Sequence, residues 1–324
     1  MGKLFIIFNP NIYKKDFRDL FMKIYDLIII GAGPAGLCAG IYAGRYKLET
    51  LIIGKIPGGT AGTIHEVCNF PSYEKITGME LTLKMIKQVQ NLGVRIKQEI
   101  VEYINKNKNF EIKTNKDIYY AKKIILAAGS ERKKLGIENE QKFTGKGVSY
   151  CATCDSGFYK NKIVGVVGGS DSALMSALLL TKFAKKIYII YRKEKFTKPE
   201  PIWIEQINKE KKIEVLFNTK VKKILGEEKL SEIEIETKGK RSTLKIGGLF
   251  IEIGGVPNIK LAEKLKVNLE DGEIIADKSQ KTNVQGVFAA GDCTNNSLKQ
   301  VVTACSEGAV ACYSVYNELK REKN

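Results

Sequence analysis

Ile28-Ile29-Ile30-Gly31-Ala32-Gly33-Pro34-Ala35-Gly36 is the stretch whose reading decides the fold of this chain. Lys23 to Ile30 is charged at its start and then apolar on both faces, the pattern of a buried parallel strand. Pro34 to Tyr46 is rich in alanine and predicts the helix that follows. Between them Gly31, Gly33 and Gly36 have G-x-G-x-x-G spacing. The first glycine of such a turn permits a tight reversal, the second lets backbone approach a pyrophosphate, and the third lets helix and strand pack closely, with phosphate on the helix N-terminus. A glycine turn that packs a helix and holds no ligand is the blander reading. The flanking strand and helix favour the dinucleotide one.

A second turn of the same kind follows at Val166-Val167-Gly168-Gly169-Ser170-Asp171-Ser172-Ala173. Ile163 to Val167 reads as its strand, Asp171 to Ala184 as its helix and Ile187 to Tyr191 as the next strand. That strand runs into Tyr191-Arg192-Lys193-Glu194-Lys195-Phe196-Thr197-Lys198. An arginine and lysines at a position where an NAD site carries a carboxylate suit a 2′-phosphate, although a solvated charge run is the competing account. The first unit has no acid at the matching place, where Thr50-Leu51-Ile52-Ile53 ends in Gly54-Lys55. The glycine- and polar-rich segment from Pro57 to Pro71 suits a loop along an extended cofactor. A helix from Met79 to Leu92, strand-like pieces at Gly93 to Tyr103 and Phe110 to Thr114, and apolar Ile124 to Gly129 complete this unit. After the strand-rich stretch Ile213 to Ile253 the chain turns at Gly254 to Asn258, then closes with Gly286-Val287-Phe288-Ala289-Ala290-Gly291-Asp292 and a helix from about Gln300 to Leu319. Asp292 thus stands at a strand end, where α/β sheets bind ligands, or else caps a turn.

Between the two glycine turns lies Ser149-Tyr150-Cys151-Ala152-Thr153-Cys154-Asp155-Ser156. Two cysteines separated by two residues can close a disulfide ring, hold a metal edge, or cycle between dithiol and disulfide. Zinc prefers four ligands in closely spaced pairs, and the chain has no second such pair. A redox-capable pair between two dinucleotide turns points to electron transfer.

Composition sets the outer limits. At 324 residues with 44% hydrophobic content, the chain is long enough for two domains of ordinary size. No apolar run reaches the ~18 residues that span a bilayer, so a soluble protein without a membrane partner is expected. The net charge of +17 comes from 53 basic residues of which only seven are arginine, and the lysines are scattered. Nucleic-acid readers concentrate charge and lean on arginine forks, so solvated lysine faces are the better account and no nucleic-acid partner is expected. Seven cysteines in a chain of this length argue for an intracellular protein, with Cys38, Cys68, Cys293, Cys305 and Cys312 expected as buried small apolar residues. Residues 1–21 read as an N-terminal extension, with Met22 the expected functional start. His65, the sole histidine, reads as a loop residue rather than a catalytic partner.

Taken together these pieces resemble the low-molecular-weight thioredoxin reductases, from about Lys23 to the C-terminal helix, most specifically at Cys151-Ala152-Thr153-Cys154-Asp155. The resemblance implies an α/β fold of two Rossmann-like dinucleotide-binding domains, the second inserted into the first. Residues 22–130 and 258–324 would form the FAD-binding domain, and 131–257 the NAD(P)H-binding domain that carries the cysteines. It implies that Gly31, Gly33, Ala35, Gly36, Gly58, Gly59, Asn69, Gly129, Asp292, Gln300 and Val301 hold FAD. Gly168, Gly169, Ser170, Asp171, Ser172, Arg192, Lys193 and Lys198 would hold NADPH. Cys151, Cys154 and Asp155 would be catalytic, Cys154 facing the flavin and Asp155 serving as acid and base. Electrons would pass from NADPH through FAD and the cysteine pair to a thioredoxin or thioredoxin-like redoxin, in a cytoplasmic homodimer. Four residues depart from the family pattern: Ser170 stands where a glycine is usual, Lys193 and Thr197 where arginines are usual, and Ser156 where glycine is usual. Thinned NADPH motifs keep a second reading open, the same scaffold fed by ferredoxin or a deazaflavin. A basic nucleic-acid module without turnover is the remote third.

Overall fold

The computed structural model describes residues 23–322; the expected extension at 1–21 and the start at Met22 lie outside them. The chain divides into two compact units. Within the described residues the first comprises 23–59, Thr82–Gly129 and 259–322, and the second Thr60–Leu81 and Ser130–Asn258.

The first unit is built on a seven-stranded sheet. Arg95–Gln98, Thr50–Gly54, Ile24–Ile30 and Ile118–Leu126 run parallel in that order, and the C-terminal half of Ile118–Leu126 also takes Val287–Ala289 as a parallel neighbour. Phe110–Thr114 and Val101–Lys106 extend the other edge antiparallel. Ile24–Ile30 is apolar on both faces from Leu27 to Ile30 because both are covered there. Leu27 and Ile29 pack into the core beneath the helices Pro34–Arg45 and Val301–Arg321, while Ile28 and Ile30 pack on the opposite side with Ile104, Phe110 and Val267. Each fully buried Leu or Ile side chain contributes about 1.5–3 kcal/mol, so a polar residue at any of the four would be costly.

The second unit repeats the plan in a five-stranded parallel sheet, in the order Ile213–Leu216, Lys186–Ile190, Ile163–Val167, Gly248–Ile251, Val148–Ser149. A three-stranded antiparallel sheet, Thr219–Gly226, Leu230–Thr237 and Lys240–Lys245, packs within the same unit through Val221, Ile224, Ile233 and Ile235. Its helix is shorter than the apolar pattern implied. It runs from Asp171 to Leu180, because the Thr181 hydroxyl donates to the Leu178 carbonyl at 2.7 Å and residues 181–183 tighten into turns. The C-terminal helix starts one residue later than expected and runs to Arg321.

Both glycine turns meet the same steric demand. Gly31 has φ +121°, and a β-carbon there would lie 1.9 Å from the Ala127 carbonyl oxygen. Gly168 has φ +150°, and a β-carbon would lie 2.1 Å from the Glu252 carbonyl oxygen. In each unit the backbone of a neighbouring parallel strand leaves no room for a side chain as the first strand turns into its helix. A hairpin glycine with positive φ but open surroundings, Gly239 at +82°, bears only the torsional cost. Gly239→Ala is therefore expected to lower stability by about 1–2 kcal/mol. Gly31→Ala is expected to displace the chain-denaturation midpoint much further or to prevent folding, and equal midpoints for the two variants would refute the backbone-contact account.

Candidate active site

Cys151 follows the buried edge strand Val148–Ser149, so the pair emerges at the carboxyl end of a parallel sheet. Cys151 and Cys154 are joined in a disulfide with their Cα atoms 5.3 Å apart. One helical turn, Ala152–Asp155, spans the ring, and the Cys154 amide donates to Cys151 Sγ at 3.2 Å. Cys154 is exposed and Cys151 half-buried. The Ser149 hydroxyl holds this turn from below: it donates to Asp155 Oδ2 at 2.7 Å and accepts from the Cys151 amide at 3.0 Å. Further stiffening comes from Glu140, whose carboxylate accepts the Tyr150 hydroxyl at 2.7 Å and the Leu135 and Gly136 amides at 2.9 and 2.7 Å. Burial acts to raise the Glu140 pKa, but these donors hold it below the usual carboxylate range. Burial and the Glu140 carboxylate push the Tyr150 hydroxyl up to about 12. On the other side Tyr159 packs edge-on to Phe250, 5.0 Å between ring centroids, and fills the space over Gly248. The cysteine pair thus sits on a rigid support, as a reactive constellation requires.

In the first unit most of the expected residues converge at the carboxyl ends of the parallel strands. Gly31, Gly33, Ala35 and Gly36 form the turn and first helical turn, and the Gly58 amide donates to the Ala32 carbonyl at 2.8 Å, folding Gly58 and Gly59 back onto it. Gly291 abuts Ala35, and Asp292 follows it directly. Gln300 caps the C-terminal helix, its amide donating to Thr303 Oγ1 at 3.1 Å, and Val301 begins that helix. Gly129 is the last residue of the unit before the chain leaves it. Asn69 groups with the other unit, where its Nδ2 lies 3.4 Å from Glu200 Oε1. The glycines also allow a fit to be tested. Gly31 and Gly36 are demanded by the protein's own backbone, since a β-carbon on Gly36 would lie 1.9 Å from the Gly31 carbonyl. Gly33 is not, for a β-carbon there would meet only Gly59 at 3.9 Å. The space it leaves lies at the N-terminus of a 12-residue helix that has no side-chain cap. Open room beside uncapped amides fits a pyrophosphate.

The second turn differs at that same position. Ser170 stands where the first has Gly33, and its hydroxyl lies 3.1 Å from that of Ser172, neither capping the helix. Two hydroxyls beside free helix amides also fit a phosphate, in a narrower space. Gly169 is needed for packing, since a β-carbon would lie 2.3 Å from the ring of Tyr191, which stacks on Phe196 at 5.5 Å. The Asp171 carboxylate accepts the Glu200 amide at 2.7 Å, and burial raises its pKa. Arg192, Lys193 and Lys198 are all exposed beyond the strand Lys186–Ile190.

The family model described as pyridine nucleotide-disulphide oxidoreductase matches residues 25–308. The chain belongs to this family. Among its relatives, the thioredoxin reductase of Bacillus subtilis (strain 168) is 39% identical over 303 residues, covering 92% of this chain and 96% of that protein. The thioredoxin reductase of Lactococcus lactis, in a crystal structure described as the FR conformation, superposes with a TM-score of 0.89 at 34% identity, covering 92% of this chain and 99% of that one. That of T. acidophilum superposes with a TM-score of 0.87 at 32% identity, covering 91% and 99%. The expected fold class and family are borne out, and the chain is an oxidoreductase of the low-molecular-weight thioredoxin reductase type. Among the described residues no helix is long and apolar enough to cross a membrane, and no group of three or more His, Cys, Asp or Glu side chains is placed to hold a metal ion.

One expectation is corrected. Of the five cysteines outside the pair, only Cys293 and Cys312 are buried. Cys38 and Cys305 are half-buried, and Cys68 is exposed, its thiol donating to Glu66 Oε1 at 3.3 Å. His65 does lie in a loop, and its Nε2 is 3.4 Å from Lys182 Nζ. Burial first, and the Lys182 charge second, hold its pKa below that of free histidine.

Three polar residues that sequence reasoning missed support the residues described above. Ser149 is one. Glu252 is another: it is buried behind Gly168, ion-paired with Arg132 and accepting the Ser176 hydroxyl at 3.0 Å, and burial raises its pKa against the pull of Arg132. The third is Glu307, buried in the C-terminal helix, whose carboxylate accepts the Gly291 amide at 2.6 Å, the Thr294 hydroxyl at 3.0 Å and the Asn296 side-chain amide. It fixes the turn that presents Asp292, whose pKa is raised by burial, with Lys299 opposing and Glu307 adding to the rise. The Gly291 amide and the Asn296 side-chain amide lose this acceptor in Glu307→Ala, which is expected to cost about 2–4 kcal/mol in urea unfolding, with Glu307→Gln costing less. An unchanged midpoint for the alanine variant would show that the turn does not depend on this carboxylate.

Proposed function

We propose that the chain is an NADPH-dependent thioredoxin-disulfide reductase, passing electrons through FAD and the Cys151–Cys154 disulfide to a thioredoxin or thioredoxin-like protein in a cytoplasmic homodimer. The observation that carries this reading is the half-exposed Cys151–Cys154 disulfide on its Ser149–Asp155 support, in a chain with two dinucleotide-type turns. We assign 22–130 and 258–324 to FAD and 131–257 to NADPH. Gly31, Gly33, Ala35, Gly36, Gly58, Gly59, Gly129, Asp292, Gln300 and Val301, with Asn69, would hold FAD. Gly168, Gly169, Ser170, Asp171, Ser172, Arg192, Lys193 and Lys198 would hold NADPH. When bound, these groups supply the two electrons that open the disulfide.

The residues of the chain do the rest. In the reduced pair the Cys154 amide, which donates to Cys151 Sγ, stabilises a thiolate there. That thiolate attacks the partner's disulfide, forming a mixed disulfide through Cys151 and releasing one partner thiolate, which takes up a proton. The Cys154 thiol gives its proton to Asp155 and attacks Cys151 Sγ, so that the Cys151–Cys154 bond re-forms, and the released second partner thiolate takes that proton back from Asp155 to leave as a dithiol. Asp155 is oriented for this by the Ser149 hydroxyl. The proton taken by the first partner thiolate comes from solvent and replaces the one Cys151 lost on ionising.

A second reading, with ferredoxin or a deazaflavin in place of NADPH, is favoured by Ser170 at the phosphate turn and by the single arginine, Arg192, beyond the second strand. The two are separated by anaerobic titration of purified protein with NADPH, NADH and dithionite, following the visible flavin band. Bleaching by NADPH is expected; bleaching by dithionite alone would overturn the first reading and promote the second. Cys154→Ser is expected to leave flavin bleaching intact, abolish turnover of thioredoxin and trap the mixed disulfide on Cys151. Retained turnover would remove the pair from the route.

A further inference from the structure

The helices Pro34–Arg45 and Val301–Arg321 cross with their backbones almost touching: a β-carbon on Gly308 would lie 2.0 Å from the Ala35 carbonyl oxygen. Each helix carries a half-buried cysteine beside this crossing. Cys305 Sγ lies 3.9 Å from the Pro34 carbonyl oxygen. In an α-helix that carbonyl accepts the amide four residues on, which here is Cys38, so the two stack on one face. The Cys305 thiol therefore lies against the helical turn that bears Cys38, close enough for the two thiols to influence each other. Both pack on the same apolar core cluster. Neither takes part in the chemistry of Cys151 and Cys154.

We propose that Cys38 and Cys305 form a second oxidisable dithiol, which a peroxide converts into an inter-helix disulfide independently of the Cys151–Cys154 pair. The Cys38 thiolate attacks one peroxide oxygen and cleaves the O–O bond, giving a sulfenic acid, and the departing hydroxide takes a proton to become water. The Cys305 sulfur then displaces the sulfenic hydroxyl, the S–S bond forms, and a second water leaves. Two thiols are oxidised by two electrons and one peroxide is reduced to two waters, with nothing left over.

The electrostatics assign the order of events. The Cys305 thiol lowers the Cys38 pKa, outweighing burial, while Cys38 and burial raise that of Cys305. Every other described free cysteine moves the opposite way from Cys38: burial raises Cys68, Cys312 and Cys293, the last to about 11. Cys38 is thus the nucleophile and Cys305 the resolving thiol. Once formed, the bond would staple the C-terminal helix, which carries Glu307 and its grip on Gly291, to the helix that follows the first glycine turn.

The test uses the full chain, fully reduced and exposed to near-stoichiometric hydrogen peroxide, then alkylated and mapped by mass spectrometry. In a Cys151→Ser/Cys154→Ser background the proposal expects two of the five remaining thiols to be lost together. It expects a peptide pair joined through Cys38 and Cys305, released by dithiothreitol. Cys305→Ser should instead accumulate a dimedone-trapped sulfenic acid at Cys38, and Cys38→Ser should leave Cys305 alkylatable. The unsubstituted chain, which has no folding question attached, must yield the same joined peptides. Full alkylation of both cysteines after peroxide, or over-oxidation of Cys38 with Cys305 still alkylatable, would overturn the proposal.

Discussion

The carbonyl oxygen of Ala127 occupies the place where a side chain on residue 31 would begin. Ile24–Ile30 and Ile118–Leu126 are paired in parallel up to Ile30 and Leu126, so their backbones are still side by side when the first of them must turn into a helix. A residue without a β-carbon solves the problem, and the solution sends the helix back across the sheet with its amide end at the strand termini. Gly58, Gly59 and Gly291 each fold against this turn. The same conflict and solution recur at Gly168 against Glu252. The two glycine turns are thus consequences of one packing rule, applied wherever parallel backbones crowd a turn.

What distinguishes the two turns is the residue that packing leaves free. At Gly33 nothing in the protein forbids a side chain, so its absence serves the space in front of the helix. At Ser170 that space holds a hydroxyl paired with Ser172. The redox pair obeys a different logic. Its ring is too small to be held by apolar packing alone, and polar contacts from Ser149 and the Cys154 amide fix it from within. Those contacts leave Cys154 exposed while Cys151 keeps a donor aimed at its sulfur, which gives the two sulfurs different roles before any partner arrives.

The strand–glycine–helix units and Cys151-Ala152-Thr153-Cys154-Asp155 were legible in the sequence because each is local: period, turn chemistry and spacing lie within about 20 residues. Ser149, six residues from its Asp155 partner, gave no signal beyond its residue type. Glu307 meets Gly291 from another element, and Glu252 meets Arg132 from 120 residues away. Periodicity tells which face of an element is buried, not which group waits there. The same limit explains the cysteines. Composition favours burial of an unpaired cysteine, but Cys68 lies in a polar loop, and the contact between Cys38 and Cys305 joins two helices at opposite ends of the chain. The early end of Asp171–Leu180 had a local cause, the Thr181 hydroxyl, which competes with the helix for a carbonyl.

Tyr191 bears on how the proposed nucleotide preference would be encoded in the second unit. Its ring fills the space over Gly169, stacks on Phe196 and meets Phe217 edge-on at 6.5 Å, so the floor beyond the second strand is aromatic and rigid. The charges that would meet a 2′-phosphate lie outside this floor, on the exposed side chains of Arg192, Lys193 and Lys198. An exposed charge pair contributes roughly 0.2–1 kcal/mol, and the contribution falls as salt rises. A discrimination built from such residues is therefore graded and screened, unlike one built from a buried arginine fork. On the proposed assignment, the rigid part of this unit would hold a dinucleotide, and the exposed part would decide, weakly, which one.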